Sequence, residues 1–416
     1  MLRKTLVAVA ATLALAVPAA GAATADYSGE IAGAPYLIRI PDNWNGTLLV
    51  HAHGYRDLAD HPGEVDDRSA PASPNAALEP ALLAQGYALA GSAYAANGWA
   101  VKEGIRDTRT LVARFTSIAG RPSRTLLWGF SLGSIVTLAL ADQRGSPFDG
   151  YLAACAVGAG TSRAWDGALV TAVAYDTAFG WPAAWGTPGD VRDDIDFESE
   201  VLLPKMFAEL ANPLNFGKWE FIRLVTGAAP SPFPLALFPG WIITNMFFVT
   251  EARAELERRA GGPVAQNLNH LYTLAPADKA YLAALGVNAD LLLASMNAKR
   301  TVSAPPGPRS YVQQWADYSG RITKPVLTLH TAIDTLVPPS HESAYAATVA
   351  AAGASGLLAQ TFTNGAGHCN FTGPQLLTAL AALDGWVATG SKPGPAAFPA
   401  ALGFLPGFVP PPWPQP

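Results

Sequence analysis

The chain has 416 residues, half of them hydrophobic and 14% charged, which is enough for a large buried core in one or two domains. A net charge of −5 and a sequence pI near 5.8 argue against a basic nucleic-acid-binding surface, and the high apolar fraction argues against disorder. We therefore expect a globular protein with no nucleic-acid partner. Its 39 glycines and 35 prolines indicate many turns and long loops.

The first 25 residues have the pattern of a secretory signal peptide. Arg3 and Lys4 precede an apolar run over residues 6–17, and two A-x-A sites then predict cleavage near residue 22 or 25. The apolar run is short for a membrane span, which needs about 20 residues. We predict a secreted protein, extracellular or periplasmic, with no stable membrane insertion.

After this segment, β-rich apolar runs alternate with helical runs. The strands predicted in the first part of the chain are 35–41, 47–53, 87–94, 125–128 and 148–157. The run at 35–41 alternates and is bounded by prolines, which is typical of an edge strand. Residues 101–117 form an amphipathic helical pattern. Strands and helices alternating at this spacing predict a mostly parallel sheet with helices on both faces.

The most informative motif is the pentapeptide Gly129-Phe-Ser-Leu-Gly133, a G-x-S-x-G sequence. The apolar run before it and the helix-compatible run after it predict a strand, a sharp turn and a helix. This turn would hold the Ser131 hydroxyl clear of the sheet, beside the helix N-terminus. The two glycines fit a turn in which any side chain would clash. The same pentapeptide also occurs by chance as a plain turn between two buried elements.

The second predicted strand ends in His53-Gly54-Tyr55. A His-Gly pair at the end of an early strand is where an acyl-transfer hydrolase places half of its oxyanion hole, so the predicted donors are the backbone N–H groups of Tyr55 and Leu132. His51 and His53 share one strand face, which is compatible with metal binding, but no third ligand is apparent from the spacing. We therefore predict no metal site and expect His53 to brace the loop by hydrogen bonding.

The strand–helix rhythm stops between residues 161 and 318. Compact domains rarely contain a structureless loop of this length, and the helical runs and tryptophans of this stretch predict a mainly helical cap or lid over the site. The core is then expected at residues 26–160 and 319–391. Residues 392–416 are rich in proline and are predicted either to run extended over the surface or to stay mobile, with aromatic side chains able to pack on the body or on a partner.

The core resumes with a predicted strand at 324–330, and Asp334 follows it in an Asp-Thr-Leu-Val-Pro segment. An aspartate just beyond a strand is well placed to accept a histidine N–H, although it could also only cap a turn. The last predicted strand, 357–363, ends in a glycine-bounded loop that carries His368. The order Ser131, Asp334, His368 is the order that accompanies the G-x-S-x-G turn at residues 129–133, which is called the nucleophile elbow.

The two cysteines of the chain are Cys155, in a predicted central strand, and Cys369, directly after His368. In an oxidising compartment they could form one disulfide. They could equally remain two separate buried thiols. The sequence leaves both states open.

With these motifs the chain resembles the α/β-hydrolase superfamily, over roughly residues 35–160 and 320–390. The resemblance implies an α/β fold with a mostly parallel eight-stranded sheet, a large helical cap inserted after the sixth strand, and a triad of Ser131, Asp334 and His368. No G-x-G-x-x-G sequence opens a helix and no P-loop is present, so we expect no cofactor.

These residues predict a secreted serine hydrolase that cleaves carboxylic esters through an acyl-enzyme intermediate. The aromatic, weakly charged insertion favours uncharged or aromatic esters, small or polymeric. One alternative is a secreted serine exopeptidase or amidase of the same fold, in which the acidic run at residues 190–200 would bind a free amine. A second alternative is a non-catalytic binding protein with a relict elbow. The sequence does not indicate the oligomeric state.

Overall fold

The computed structural model describes residues 23–229 and 241–413. The predicted signal peptide therefore lies, except for its last three residues, outside the described residues. The strands are, in chain order, β1 (Thr24–Ile31), β2 (Ala34–Pro41), β3 (Thr47–Ala52), β4 (Ala88–Ser92), β5 (Arg124–Phe130), β6 (Gly150–Ala154), β7 (Gly186–Thr187), β8 (Asp190–Val191), β9 (Val326–Ile333) and β10 (Leu358–Ala366).

One large sheet has the strand order β1-β2-β4-β3-β5-β6-β9-β10, and β7 and β8 form a separate short hairpin. At one side of the sheet, β1 pairs antiparallel with β2, and β2 pairs antiparallel with β4. All pairs from β4 to β10 are parallel. This is the α/β-hydrolase fold, with β5 near the centre, and it confirms the prediction of a mostly parallel eight-stranded sheet.

The prediction of an edge strand at residues 35–41 is wrong, because β1 lies outside β2. The sequence of β1 is largely polar and seven of its eight residues are exposed, so it lacks the apolar alternation that marks the other strands. β1 begins at Thr24. Cleavage near residue 22 would therefore leave this strand whole, whereas cleavage after residue 25 would remove its first two residues.

Helices cover both faces of the sheet and make up most of the described part of the segment between β6 and β9. The α-helices are α1 (Glu79–Ala84), α2 (Val101–Ala119), α3 (Leu132–Asp142), α4 (Thr161–Phe179), α5 (Phe207–Ala211), α6 (Phe216–Thr226), α7 (Trp241–Val249), α8 (Glu251–Ala260), α9 (Pro276–Ala284), α10 (Ala289–Ala298), α11 (Pro306–Ala316), α12 (Ser340–Ala351) and α13 (Gly373–Thr389), with a π-helix at Phe197–Met206. Short 3-10 turns lie at Ala76–Leu78, Ala183–Trp185, Pro213–Asn215, Ser355–Leu357, Pro395–Ala397 and Ala400–Leu402. Helices α4 to α11 are called the helical segment below; its role as a cap stays a prediction.

The sheet separates two apolar cores. One lies on the side of α2 and α3 and continues into the helical segment, and the other lies on the side of α1 and α13. The second core includes Phe398 and Phe404 of the Pro-rich tail, both buried, and Phe404 forms a β-bridge with Thr363 of β10. This part of the tail is therefore packed on the body. Within residues 23–229 and 241–413, no helix has the combined length and apolar character that a membrane span requires.

Candidate active site

Ser131 occupies the tight turn between β5 and α3. Its φ of 54° lies in the left-handed region that residues with a side chain rarely adopt, with ψ at −121°. A Cβ atom on Gly129 would lie 2.0 Å from the carbonyl oxygen of Gly133, and one on Gly133 would lie 2.0 Å from the carbonyl oxygen of Ala52. Both distances are far below van der Waals contact, so the turn requires glycine at these two positions. The elbow thus places Ser131 at the N-terminus of α3.

Three side chains that are distant in sequence form one hydrogen-bonded row. The Nε2 atom of His368 lies 2.8 Å from Ser131 Oγ, and its Nδ1 atom lies 2.8 Å from Asp334 Oδ2. A carboxylate only accepts hydrogen bonds, so Nδ1 carries the proton and Nε2 is free to accept the proton of the serine hydroxyl. The structure therefore brings the three predicted residues together in the order that general-base chemistry requires.

Asp334 lies one residue after β9 and is fully buried. Its Oδ1 atom accepts hydrogen bonds from the backbone N–H groups of Leu336 and Val337, each at 2.9 Å, so it also caps the following turn. Burial alone would raise the pKa of Asp334, but the charges of His368 and His330 and the hydrogen bonds to the carboxylate outweigh burial and hold this pKa below its usual value. Asp334 is therefore ionised at neutral pH.

Cys155 and Cys369 form a disulfide. Cys155 follows β6 directly, and the N–H of Ser131 donates to the carbonyl oxygen of Ala154 at 3.2 Å. Cys369 is the residue after His368. The bridge thus joins the loop that carries the imidazole to the strand beside the elbow.

The two predicted oxyanion donors lie beside the serine. A Cβ atom on Gly54 would lie 3.5 Å from Ser131 Cβ, so the Gly54–Tyr55 segment packs against the elbow. Leu132 is the first residue of α3, where backbone N–H groups have no partner inside the helix. Among the described residues, neither the Tyr55 nor the Leu132 N–H has a hydrogen-bond acceptor. Tyr55 and Leu132 also line the cavity that Ser131 lines, as the prediction of two oxyanion donors requires.

His53 supports the loop that carries Tyr55. Its Nδ1–H donates to the carbonyl oxygen of Gly54 at 2.7 Å, and its ring stacks on Tyr94 with 3.9 Å between centroids. His51 makes a similar contact from Nδ1 to the carbonyl oxygen of Pro71 at 3.1 Å. Burial lowers the pKa of His53 to about 4 and that of His51 to about 3, so both rings are neutral. His53 makes the contact that a bracing role requires.

A cavity of about 370 Å³ lies in front of Ser131. Its aromatic lining comes from several elements, namely Tyr55, Trp99, Trp165, Phe248 and Trp413. Trp165 belongs to α4 and Phe248 to α7, so the helical segment supplies part of the wall. The polar lining includes the amides of Asn245 and Gln266. The cavity suits a ligand with an aromatic or apolar body and a few polar groups.

The acidic run at residues 190–200 supplies none of the lining in the described part of the chain. Asp194 and Glu200 instead form ion pairs with Arg192. The cavity therefore gives no support to the expectation that this run binds the amine of a substrate.

The tail also reaches the site. The indole ring of Trp413 lies 4.7 Å from the imidazole of His341 in α12, measured between centroids. A Cβ atom on Gly167 of α4 would lie 3.3 Å from the same indole. Trp413 thus contacts α12 and the helical segment at once. The sequence indicates only that this residue can pack on the body or on a partner, because no motif links the tail to the cavity.

A second feature without a sequence motif lies next to Asp334. His330, near the end of β9, and Glu342, in α12, are both buried, and His330 Nδ1 lies 3.0 Å from Glu342 Oε1. The hint in the sequence is a histidine within a mainly apolar strand.

No family model matches the chain. It is 32% identical over 127 residues to an o-phthalyl amidase from Xanthobacter agilis, a match that covers 30% of this chain but only 25% of the amidase. Among solved structures it is similar to an esterase from Pyrococcus furiosus, with a TM-score of 0.41 and 12% identity over 88% of each chain. It is also similar to feruloyl esterase B from Aspergillus oryzae, with a TM-score of 0.39 and 14% identity over 89% of this chain and 82% of that chain.

Proposed function

We propose that the protein is a secreted serine hydrolase that cleaves carboxylic esters through an acyl-enzyme intermediate. The observation that carries the proposal is the row of 2.8 Å contacts from Ser131 through His368 to Asp334. The row borders a cavity with an aromatic lining, which provides a place for the acyl or alcohol group. The N-terminal sequence and the disulfide support secretion, since disulfides persist in oxidising compartments.

In this mechanism, Ser131 Oγ attacks the ester carbonyl while His368 Nε2 takes the hydroxyl proton. Buried Asp334 stabilises the imidazolium that forms and keeps the ring in the required tautomer. His368 then donates the proton to the leaving alcohol. Water then attacks the acyl carbonyl while His368 Nε2 takes its proton. The imidazolium returns that proton to Ser131 Oγ as the bond between Oγ and the acyl group breaks, so the acid leaves and the free serine is restored.

The negative charge of the tetrahedral intermediate would form next to the amides of Tyr55 and Leu132. Each such donor contributes about 3–4 kcal/mol to lowering the barrier in a comparable enzyme. The N-terminus of α3 adds a favourable dipole at the same point. The close packing of Gly54 against Ser131 keeps the first donor near the reacting carbon.

Amide hydrolysis is the second candidate, and the 32% identity to the o-phthalyl amidase over 127 residues favours it. The same serine and imidazole serve both reactions, because the acyl half of the mechanism is identical and only the leaving group differs. An aromatic acyl group, as in a phthalyl compound, would suit the tryptophan-lined cavity.

Activity-based labelling tests the serine assignment. The native protein should react with a fluorophosphonate probe, and Ser131→Ala should lose both labelling and nearly all turnover while its circular dichroism stays unchanged. Ser117→Ala, a change at an exposed serine of α2, is the matched control and should label normally. Turnover by Ser131→Ala near the native rate would refute the assignment, and a native protein that never labels would favour the relict-elbow alternative.

A substrate panel separates the two candidate reactions. Aryl and alkyl esters should be compared with aryl amides that carry the same acyl groups, phthalyl and benzoyl included. Faster cleavage of the esters by a large factor supports the esterase, whereas selective cleavage of phthalyl amides supports the amidase. In either case His368→Gln should lose nearly all turnover, because the general base is removed. Turnover by this variant near the native rate would contradict the role of His368.

A further inference from the structure

A second set of buried polar side chains continues from Asp334 to α12. The Nε2 atom of His330 lies 3.6 Å from Asp334 Oδ2 and 2.9 Å from the carbonyl oxygen of Val337. The Nδ1 atom lies 3.0 Å from Glu342 Oε1. The side chains of His330, Asp334 and Glu342 are all fully buried, so any charge on them must be balanced by its neighbours.

The surroundings of Glu342 suit a carboxylate. Its Oε2 atom accepts hydrogen bonds from the hydroxyl of Thr328 and the side-chain amide of Gln360, each at 2.6 Å. Together with His330, three donors thus surround its two oxygens. Both oxygens of Glu342 therefore act as acceptors in this arrangement.

Both nitrogens of His330 face acceptors. The carbonyl oxygen of Val337 can only accept, so Nε2 must carry a proton, and the carboxylate of Glu342 imposes the same on Nδ1. A ring protonated at both nitrogens is an imidazolium. Burial by itself lowers the pKa of His330, but the hydrogen bond to Glu342 and the charges of Glu342 and Asp334 outweigh burial and raise it above the ordinary value.

Two other histidines lie near this group. His341, also in α12, is neutral because burial lowers its pKa to about 3. His368 approaches from the loop after β10 on the other side of Asp334. The charges that act on His330 are therefore the carboxylates of Glu342 and Asp334.

We propose that His330 is a positioning residue for Asp334, a buried imidazolium that is paired with Glu342 and fixes both the geometry and the charge balance of the carboxylate behind His368. The proposal rests on the proposed function, because it assigns His330 a part in the same site. His330 Nε2 donates to the carbonyl oxygen of Val337, and the N–H of Val337 donates to Asp334 Oδ1 at 2.9 Å. Val337 therefore links the imidazole of His330 to the carboxylate of Asp334.

The charge has a consequence for the pH range of the reaction. A cation beside Asp334 keeps that residue ionised but competes with protonated His368 for its negative charge. Replacement of the pair by neutral groups removes this competition, so the pH profile of kcat/KM should differ from the native one.

The protonation state can be read directly in the native protein. In a sample labelled with 15N-histidine, the side-chain resonances of His330 should show two protonated nitrogens at pH 7. The resonances that disappear in His330→Gln are those of His330. This measurement does not depend on activity. A neutral ring at pH 7 would overturn the proposal.

Kinetics test the positioning role. His330→Gln alone should unfold at a clearly lower urea concentration, because Glu342 then remains buried without its cation. The double variant His330→Gln with Glu342→Gln removes both charges and should recover most of the lost stability. It should keep KM within about twofold, lower kcat about tenfold and change the pH profile of kcat/KM, since an orienting contact is lost without a substrate contact.

Thr328→Val is the matched control, because it removes one hydrogen bond to Glu342 without changing the charge of the pair. The pH profile of its kcat/KM should match the native one. A double variant with native kcat and a native pH profile would show that the pair only stabilises the fold, which overturns the proposal. Failure of the proposed function is a separate outcome, since it would appear as turnover by Ser131→Ala.

Discussion

Removal of the disulfide is expected to weaken the fold and the site by separate routes. The perturbation is the double replacement Cys155→Ala with Cys369→Ala. The two cysteines are separated by 214 positions, and the chain-entropy relation for a loop of that length gives about 5 kcal/mol of stabilisation. Measured losses for native disulfides run from about 2 to 5 kcal/mol, so we expect a loss in that range.

The effect on turnover follows from the position of Cys369, directly after His368. The loop keeps other anchors, because the N–H of Gly367 donates to the carbonyl oxygen of Ile333 at 2.7 Å and the hydroxyl of Thr331 donates to the carbonyl oxygen of Gly367 at 2.9 Å. The imidazole should therefore stay near Ser131 but with less defined geometry. A displacement of about 1 Å can cost about a hundredfold in rate, so kcat should fall about 10- to 100-fold with little change in KM.

The assay combines urea unfolding, followed by circular dichroism, with steady-state ester hydrolysis. Native protein treated with dithiothreitol is the control, and it should lose stability and turnover to a similar degree. A thiol titration of the unreduced, denatured native protein should find no free thiol. Two titratable thiols, or an unchanged unfolding midpoint in the double variant, would refute the reasoning.

Two further predictions concern packing and pH. Gly133→Ala should abolish folding or activity, because its Cβ would lie 2.0 Å from the carbonyl oxygen of Ala52. Gly385→Ala, at an open helical position, should instead raise stability by up to about 1 kcal/mol. Equal effects of the two substitutions in thermal melts would contradict the packing argument. Burial raises the pKa of Glu251 to about 8 from an ordinary 4.5, so the folded state retains a proton that the unfolded chain releases, and stability falls as pH rises through that range. The N–H of Phe197 donates to the native Glu251 carboxylate at 2.7 Å, and Glu251→Gln keeps an oxygen that can accept this hydrogen bond. The Tm of this variant should therefore rise relative to the Tm of the native protein as the pH is raised from 5 to 9. A difference in Tm that is the same at both pH values would contradict this account.

The parts of the site that could be predicted are those with local signals. The elbow around Ser131 combines an apolar strand, two glycines and an apolar helix within a short stretch, and His368 lies in a glycine-bounded loop after a terminal strand. Parallel strands end at one edge of the sheet, so these loops had to approach one another. The structure places Asp334 between them as the chain order implies. The catalytic roles of these residues stay predictions.

The features that escaped prediction depend on burial or on contacts between distant segments. β1 is polar because both of its faces are mostly exposed, so it carries no apolar periodicity. The pairing of His330 with Glu342 joins a strand to a helix through side chains alone, and no spacing of residues in the sequence predicts this contact. Trp413 reaches the cavity only because the preceding part of the tail packs against β10 and α12.

Trp413 brings the tail into the wall of the cavity. Its indole lies against α12 on one side and against α4 of the helical segment on the other, and the hydroxyl of Ser343 donates to the carbonyl oxygen of Pro410 at 3.2 Å. A rotation that separates α4 from α12 must pull the indole from one of these neighbours. The shape of this part of the wall therefore depends on residues of the tail that lie far from Ser131 in sequence.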